Sequence, residues 1–208
     1  LDNFLVAGGD REGEVKGEMP FDDTDVYKII EGASNSLISA KNATLEKVLD
    51  SLIDIIKVGQ EKDGYLTTWR TINPAKPPAP WVEVKEGKRW ESLAASHELY
   101  NAGHLYEAAA IHFKATGKKN FLNIALKNAD LMVETFGSEE GKIHTVPGHQ
   151  IIETGLIKLY QITGKEDYIK LAKYFLDNRG NSENHELFGS YSQDHIPVVQ
   201  QDEVVGHA

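Results

Sequence analysis

Cysteine is absent from the 208 residues. That excludes disulfides, a thiolate nucleophile and cysteine-ligated zinc within this chain, and it leaves the redox compartment open. No apolar run reaches about 18 residues, so no stretch reads as a transmembrane helix. Positive charge is also in short supply: 22 Lys and Arg stand against 32 Asp and Glu, a formal net charge of −10. Without a basic stripe, a nucleic-acid or anionic-membrane partner is not expected, because phosphate binding needs clustered Lys and Arg. The start, Leu1-Asp2-Asn3-Phe4, has neither the basic region nor the apolar core of a signal peptide. It has no initiator methionine either, so a chain processed or cut from a longer one is expected.

What is present is mostly helix. Residues 1–20 mix Gly8, Gly9, Gly13 and Gly17 with many charges and read as irregular. Asp23 or Thr24 is placed to cap a helix running to about Ser39. Leu45, Val48, Leu49, Leu52, Ile53 and Ile56 fall at helical spacing and predict a second helix over about 43–60, ended by Asp63-Gly64. Residues 73–89 carry Pro74, Pro77, Pro78 and Pro80 and read as a long loop, either functional or a plain surface excursion. Beyond it, helices are expected at about 91–115, 119–136, 149–163 and 166–179.

Two turns in this second half match one another. Thr116-Gly117-Lys118-Lys119-Asn120-Phe121-Leu122 aligns with Thr163-Gly164-Lys165-Glu166-Asp167-Tyr168-Ile169, an offset of 163 − 116 = 47. A repeat of that length with two helices per unit signals stacked αα-hairpins, about three and a half of them here. An open solenoid and a closed (α/α)6 toroid share this period. A toroid needs six hairpins, roughly 300 residues, so on that reading the chain is an incomplete (α/α)6 toroid, all-α, and residues 1–208 are one partial catalytic domain. Aromatics and histidines gather at the presumed helix ends: Tyr65, Trp69, Trp81, Trp90, His97, Tyr100, His104, His149, Tyr191, His195 and His207. Such a set at a funnel mouth suits an oligosaccharide or glycan, whose CH faces stack on rings while its hydroxyls meet neutral polar groups. Some of these rings must be ordinary core.

Ser96-His97-Glu98-Leu99-Tyr100-Asn101-Ala102-Gly103-His104 invites a zinc-protease reading, but the place for the second histidine holds Asn101. His97 and His104, seven apart, can share one helix face, as ligand-binding groups or as satisfied core histidines. His149 is expected in the first turn of a helix opened after Pro147, where free N–H groups favour an oxygen-rich ligand. Phe21-Asp22-Asp23-Thr24-Asp25 sits at another helix start, where its carboxylates can cap or accept a sugar hydroxyl. The end, Gly206-His207-Ala208, carries no helix cap, which favours truncation. Glu98, Glu107, Glu153 and Glu203 are available carboxylates, but the sequence pairs none of them as glycosidase acid and nucleophile.

Several strings together resemble glycoside hydrolase family 127, the DUF1680-type β-L-arabinofuranosidases. They are Leu5-Val6-Ala7-Gly8-Gly9, Phe21-Asp22-Asp23-Thr24-Asp25-Val26-Tyr27-Lys28, Asp63-Gly64-Tyr65-Leu66 and Ser96-His97-Glu98-Leu99-Tyr100 with Gly103-His104. Glu140-Gly141-Lys142-Ile143-His144 with Gly148-His149, and Gly206-His207-Ala208, complete the set in order along the chain. The resemblance implies an (α/α)6 barrel followed by β-sandwich domains, and release of terminal arabinofuranose with retention. It implies that His97, His149 and His207, with Phe21 and Asp22, line the terminal-sugar pocket. It also implies a zinc-held cysteine nucleophile and a glutamate acid/base, none of which falls in this chain, so no catalytic residue is assigned here. No cofactor is expected within the segment, zinc is implied for the full-length enzyme, and the segment alone is expected to be inactive. Two departures concern the exact sugar: a short segment before His207, and Asp22 where Gln is common. A bacterial enzyme of either periplasm or cytoplasm fits. A non-catalytic helical repeat that binds a protein or glycan, or another toroid enzyme such as an epimerase or unsaturated-uronide hydrolase, are the alternatives.

Overall fold

A computed structural model describes residues 1–183 and 185–203. His207 therefore lies outside the described residues. The elements are helical: α1 (Asp2–Ala7), α2 (Asp23–Ser39), α3 (Ala43–Val58), α4 (Thr68–Ile72), α5 (Leu93–Ser96), α6 (Glu98–Thr116), α7 (Asn120–Thr135), α8 (Ile152–Thr163) and α9 (Glu166–Asp177). Short 3-10 turns follow at Ser190–Ser192 and Val198–Gln200. Among the described residues the only extended pairing is an isolated bridge between Phe136 and Ile143. Among the described residues no helix is long and apolar enough to cross a membrane.

Three hairpins, α2/α3, α6/α7 and α8/α9, stand side by side in two layers. In the inner layer α2 packs on α6 and α6 on α8; in the outer layer α3 packs on α7 and α7 on α9. One core runs between the layers, with Tyr27, Ile30 and Leu37 of α2, Leu105 and Tyr106 of α6, and Ile152, Leu156 and Leu159 of α8 facing Phe121, Ala125 and Phe175. Burying these apolar side chains at about 25 cal/mol per Å2 supplies the driving force that fixes the layering.

The 47-residue repeat is visible as repeated chemistry. Gly117 and Gly164 end α6 and α8 with φ of 73° and 71°, the left-handed conformation that closes a helix. In each turn the threonine hydroxyl donates back into its helix, Thr116 to His112 O and Thr163 to Leu159 O, and accepts from the second amide ahead, Lys118 N–H or Lys165 N–H. Lys118 then reaches Asp50 of α3, and Lys165 reaches Asp130 of α7, each at 2.8 Å. The outer helices α7 and α9 are thus each stapled to the one before through an equivalent lysine.

Four expectations need correction. Residues 1–20 are not wholly irregular: α1 forms because Phe4 buries its ring against Tyr27, and α1 packs on α3 and α4. Neither Asp23 nor Thr24 caps α2, whose N-cap position is Asp22. The buried Asp23 carboxylate instead accepts Thr68 N–H at 2.8 Å and the Thr68 hydroxyl at 2.6 Å, capping α4 from another helix. The helix expected over 91–115 is broken at His97, which adopts φ 58° and splits α5 from α6. The helix expected from 149 begins at Ile152, so His149 lies in the turn ahead of it.

Replacing Gly117 or Gly164 by Ala should cost about 1 kcal/mol each. No atom lies within 4 Å of either added methyl, so the cost is conformational and should be equal at the two sites. Denaturant unfolding of the single variants tests this; a clear inequality would mean the turns are not equivalent.

Candidate sugar-binding site

The inner helices all begin at one end of the molecule, and each is preceded by an aromatic side chain. Phe21 comes just before α2, His97 just before α6 and His149 three residues before α8. The three converge. The imidazoles of His97 and His149 stack with ring centres 4.3 Å apart, and Phe21 lies 4.8 Å from His97. Tyr100, in the first turn of α6, sets its ring edge-on to both histidines at 5.6 and 5.8 Å. Around them is a cavity of about 540 Å3 lined by Met19, Phe21, Trp81, Ala94, Ala95, His97, His149 and Tyr191. Trp81 and Tyr191 belong to the aromatic set visible in the sequence; Met19 and the two alanines carry no sequence signal.

Each histidine is held from behind by a buried ion pair. Glu98, the first residue of α6, accepts the Tyr65 hydroxyl at 2.5 Å, the Ser96 hydroxyl at 2.7 Å, Arg70 Nη2 at 3.1 Å and Trp90 N–H at 3.2 Å. Arg70 also donates to Glu91 O. This network clamps the chain on both sides of His97 and holds it in the left-handed conformation, which costs a non-glycine residue on the order of 1 kcal/mol. The His97 ring is oriented by a 2.5 Å contact from Nδ1 to Ala95 O. Behind His149, Arg179 donates to Glu153 at 3.0 Å, to Pro147 O at 3.3 Å and to Ser192 O at 3.0 Å. One guanidinium therefore fixes the turn leading into His149 and the turn that carries Tyr191. Gly148 lets that first turn lie flat on α5: a methyl there would sit 2.5 Å from Leu93 O.

Asn101, the residue that breaks the zinc-protease spacing, donates to Pro20 O at 3.0 Å and so anchors Phe21 against α6. Asp22 adjoins Phe21 in sequence but points elsewhere. Its carboxylate accepts Met19 N–H at 3.3 Å and lines a separate cleft with Asn3 and Lys16. Tyr65 and Trp69 are buried core residues, and the partly buried Trp90 packs edge-on against Tyr65 and Phe136.

Below the cavity, along the inner face, Glu31, His104 and Glu107 bring ligand-type atoms within 4.8 Å of one another. Lys158 already pairs with Glu107 at 2.5 Å, and Lys28 and Lys158 both act on Glu31, so charge in this group is balanced. The zinc implied by the resemblance is held by thiolates, and the sequence has no cysteine; these residues do not fit that centre. Burial, helped by Lys28, pulls the His104 pKa down to about 4. Between about pH 4 and the unfolded value of about 6.5 the unfolded chain then binds the extra proton, so His104 makes stability rise with pH. Buried Asp23, pushed up to about 6, works the other way over part of that window. A His104→Leu variant should therefore gain less stability than the parent between pH 4 and 6.5; unfolding curves with identical pH slopes would contradict this.

Comparison with known proteins matches this chain to a glycoside hydrolase family. The model described as beta-L-arabinofuranosidase, GH127 catalytic domain, covers residues 2–208. The non-reducing end beta-L-arabinofuranosidase of Bifidobacterium longum is 36% identical over 99% of the chain and 33% of its own length. The structure of a GH127 beta-arabinofuranosidase superposes with a TM-score of 0.89 at 46% identity, over 99% of this chain and 32% of that one. The GH127 beta-L-arabinofuranosidase of Geobacillus stearothermophilus T6 gives 0.88 at 42% identity, over 100% and 33%. The chain thus spans about a third of the length of these relatives. Their fold is an (α/α)6-type barrel, so the two helical layers here are part of a toroid and not an open solenoid. This chain belongs to glycoside hydrolase family 127 and corresponds to the first part of its helical catalytic domain.

Proposed function

We propose that these residues form a single partial catalytic domain supplying the sugar-binding side of a retaining glycoside hydrolase, which releases terminal β-L-arabinofuranose or a related sugar from plant-type glycans. The observation that carries the reading is the stacked His97–His149 pair in an aromatic-walled cavity, within a family whose relatives are named as beta-L-arabinofuranosidases. A pentofuranose offers hydroxyls at its edge and CH groups on its faces. Imidazoles can both donate to and accept from hydroxyls, and Phe21 offers a ring to a CH face.

In this proposal His97 and His149 bind and orient the hydroxyls of the terminal sugar, and His207 joins them. Asp22 would serve as a further hydroxyl acceptor by turning from Met19 N–H. The nucleophile, the zinc that lowers its pKa and the acid/base glutamate are assigned to parts of the enzyme outside these residues. Within the chain, Glu98 and Glu153 are committed to Arg70 and Arg179, so they act as positioning groups.

In the intact enzyme, His149→Ala should lower kcat/KM on an aryl β-L-arabinofuranoside by about a hundredfold, the loss expected when a buried site no longer pairs a substrate hydroxyl. Unchanged turnover in a folded variant would overturn the pocket assignment. As a control, the isolated 208-residue chain should hydrolyse nothing, with or without zinc.

A further inference from the structure

We infer that Trp81 forms a second sugar position at the rim of the cavity, a stacking platform for the sugar to which the terminal arabinofuranose is attached. The inference rests on the reading proposed above and adds to it a residue that sets aglycone preference.

The three tryptophans are treated differently by the fold. Trp69 is 2% exposed and Trp90 is packed between Tyr65 and Phe136, whereas Trp81 is 51% exposed and lines the same cavity as His97 and His149. Among the described residues, about half of that indole is left uncovered beside the two imidazoles. Nor is it loosely held. Val82 N–H donates to Ala79 O at 3.2 Å, closing a tight turn with Pro80 and Trp81 at its tip. The flanking residues Ala79 and Val82 are both buried, packed with Trp69 in a small apolar cluster of their own.

The rest of the loop is tied down as well. The Glu91 carboxylate accepts Glu86 N–H at 3.1 Å, and Arg89 pairs with Glu61 at 2.6 Å and Asp63 at 2.5 Å. Proline at the first central position presets φ for such a turn. The proline-rich stretch is therefore a rigid mount that presents one indole.

Its position selects the ligand class. At about 540 Å3 the cavity has the size of a site for a drug-sized ligand, larger than one pentose ring. The histidines occupy one part of its lining, while Trp81 and Tyr191 lie half-exposed at its rim. The indole offers an uncharged apolar face of the kind that packs on the CH face of a second sugar. Among the described residues the lining is aromatic, imidazole and small apolar, surfaces of the kind that meet a sugar's CH faces and hydroxyls.

The test compares two substrates of the intact enzyme: methyl β-L-arabinofuranoside and a disaccharide bearing a terminal β-L-arabinofuranose. Trp81→Ala should lower kcat/KM for the disaccharide about tenfold more than for the methyl glycoside, mainly through KM, and Trp81→Phe should restore most of the difference. Equal losses on both substrates, or none on either, would overturn the inference. Were the parent enzyme to hydrolyse neither, the proposed function would fall separately. Calorimetric titration of the disaccharide would then decide the subsite: affinity weakened severalfold by Trp81→Ala supports it, and unchanged affinity rejects it.

Discussion

Two buried arginine–glutamate pairs hold the mouth of this structure together. Arg70–Glu98 and Arg179–Glu153 are almost fully removed from water. A buried charge is costly unless it is paired, and further hydrogen bonds to its remaining lone pairs and protons lower that cost. Much of the spare capacity here goes to loop carbonyls, hydroxyls and amides: Glu91 O, Trp90 N–H, Tyr65 and Ser96 on one side, Pro147 O and Ser192 O on the other; Arg70 Nε and Nη1 and Arg179 Nε stay buried without a hydrogen-bond partner. Each glutamate lies in the first turn of an inner helix, where the helix dipole favours negative charge. Removing either partner would leave an uncompensated charge and release the turn that presents a histidine.

This arrangement shows how repeat architecture becomes a site. The hairpins set the spacing of the inner helices, and the lysine staples Lys118–Asp50 and Lys165–Asp130 keep the outer layer in register. Because the inner helices start at the same end, whatever precedes them is gathered at one mouth. Phe21, His97 and His149 are far apart in sequence and adjacent there for that reason. The strained backbone at His97 belongs to the same logic. It breaks a helix that periodicity alone would have continued, and the break turns the ring toward His149.

The long proline-rich loop supplies the contrast. Its anchoring comes from residues with no periodic pattern, namely Ala79, Val82, Arg89 and Glu91, which find partners on several elements. A helical framework can be rigid at its mouth only if such loops are pinned, and here they are pinned by buried apolar contacts and by charged groups that cap amides.

The sequence by itself determined the helical class, the hairpin repeat with its matched Thr-Gly-Lys turns, and the family resemblance, which singled out His97, His149 and His207 together. These are local or periodic features: helical spacing of apolar residues, glycine at left-handed positions, and motifs short enough to read along the chain. Only the tertiary structure decided that Asp23 caps α4 instead of its own helix, that Asn101 anchors Pro20, and that the helix expected over 91–115 splits at His97 into α5 and α6. It also decided that Asp22 faces a cleft apart from the imidazoles while Trp81 shares theirs. These outcomes depend on partners tens of residues away, and a buried carboxylate or carbonyl goes to whichever donor the packing brings within reach. Periodicity sets which face of a helix is buried; where a polar side chain finds its partner is fixed only when the layers meet.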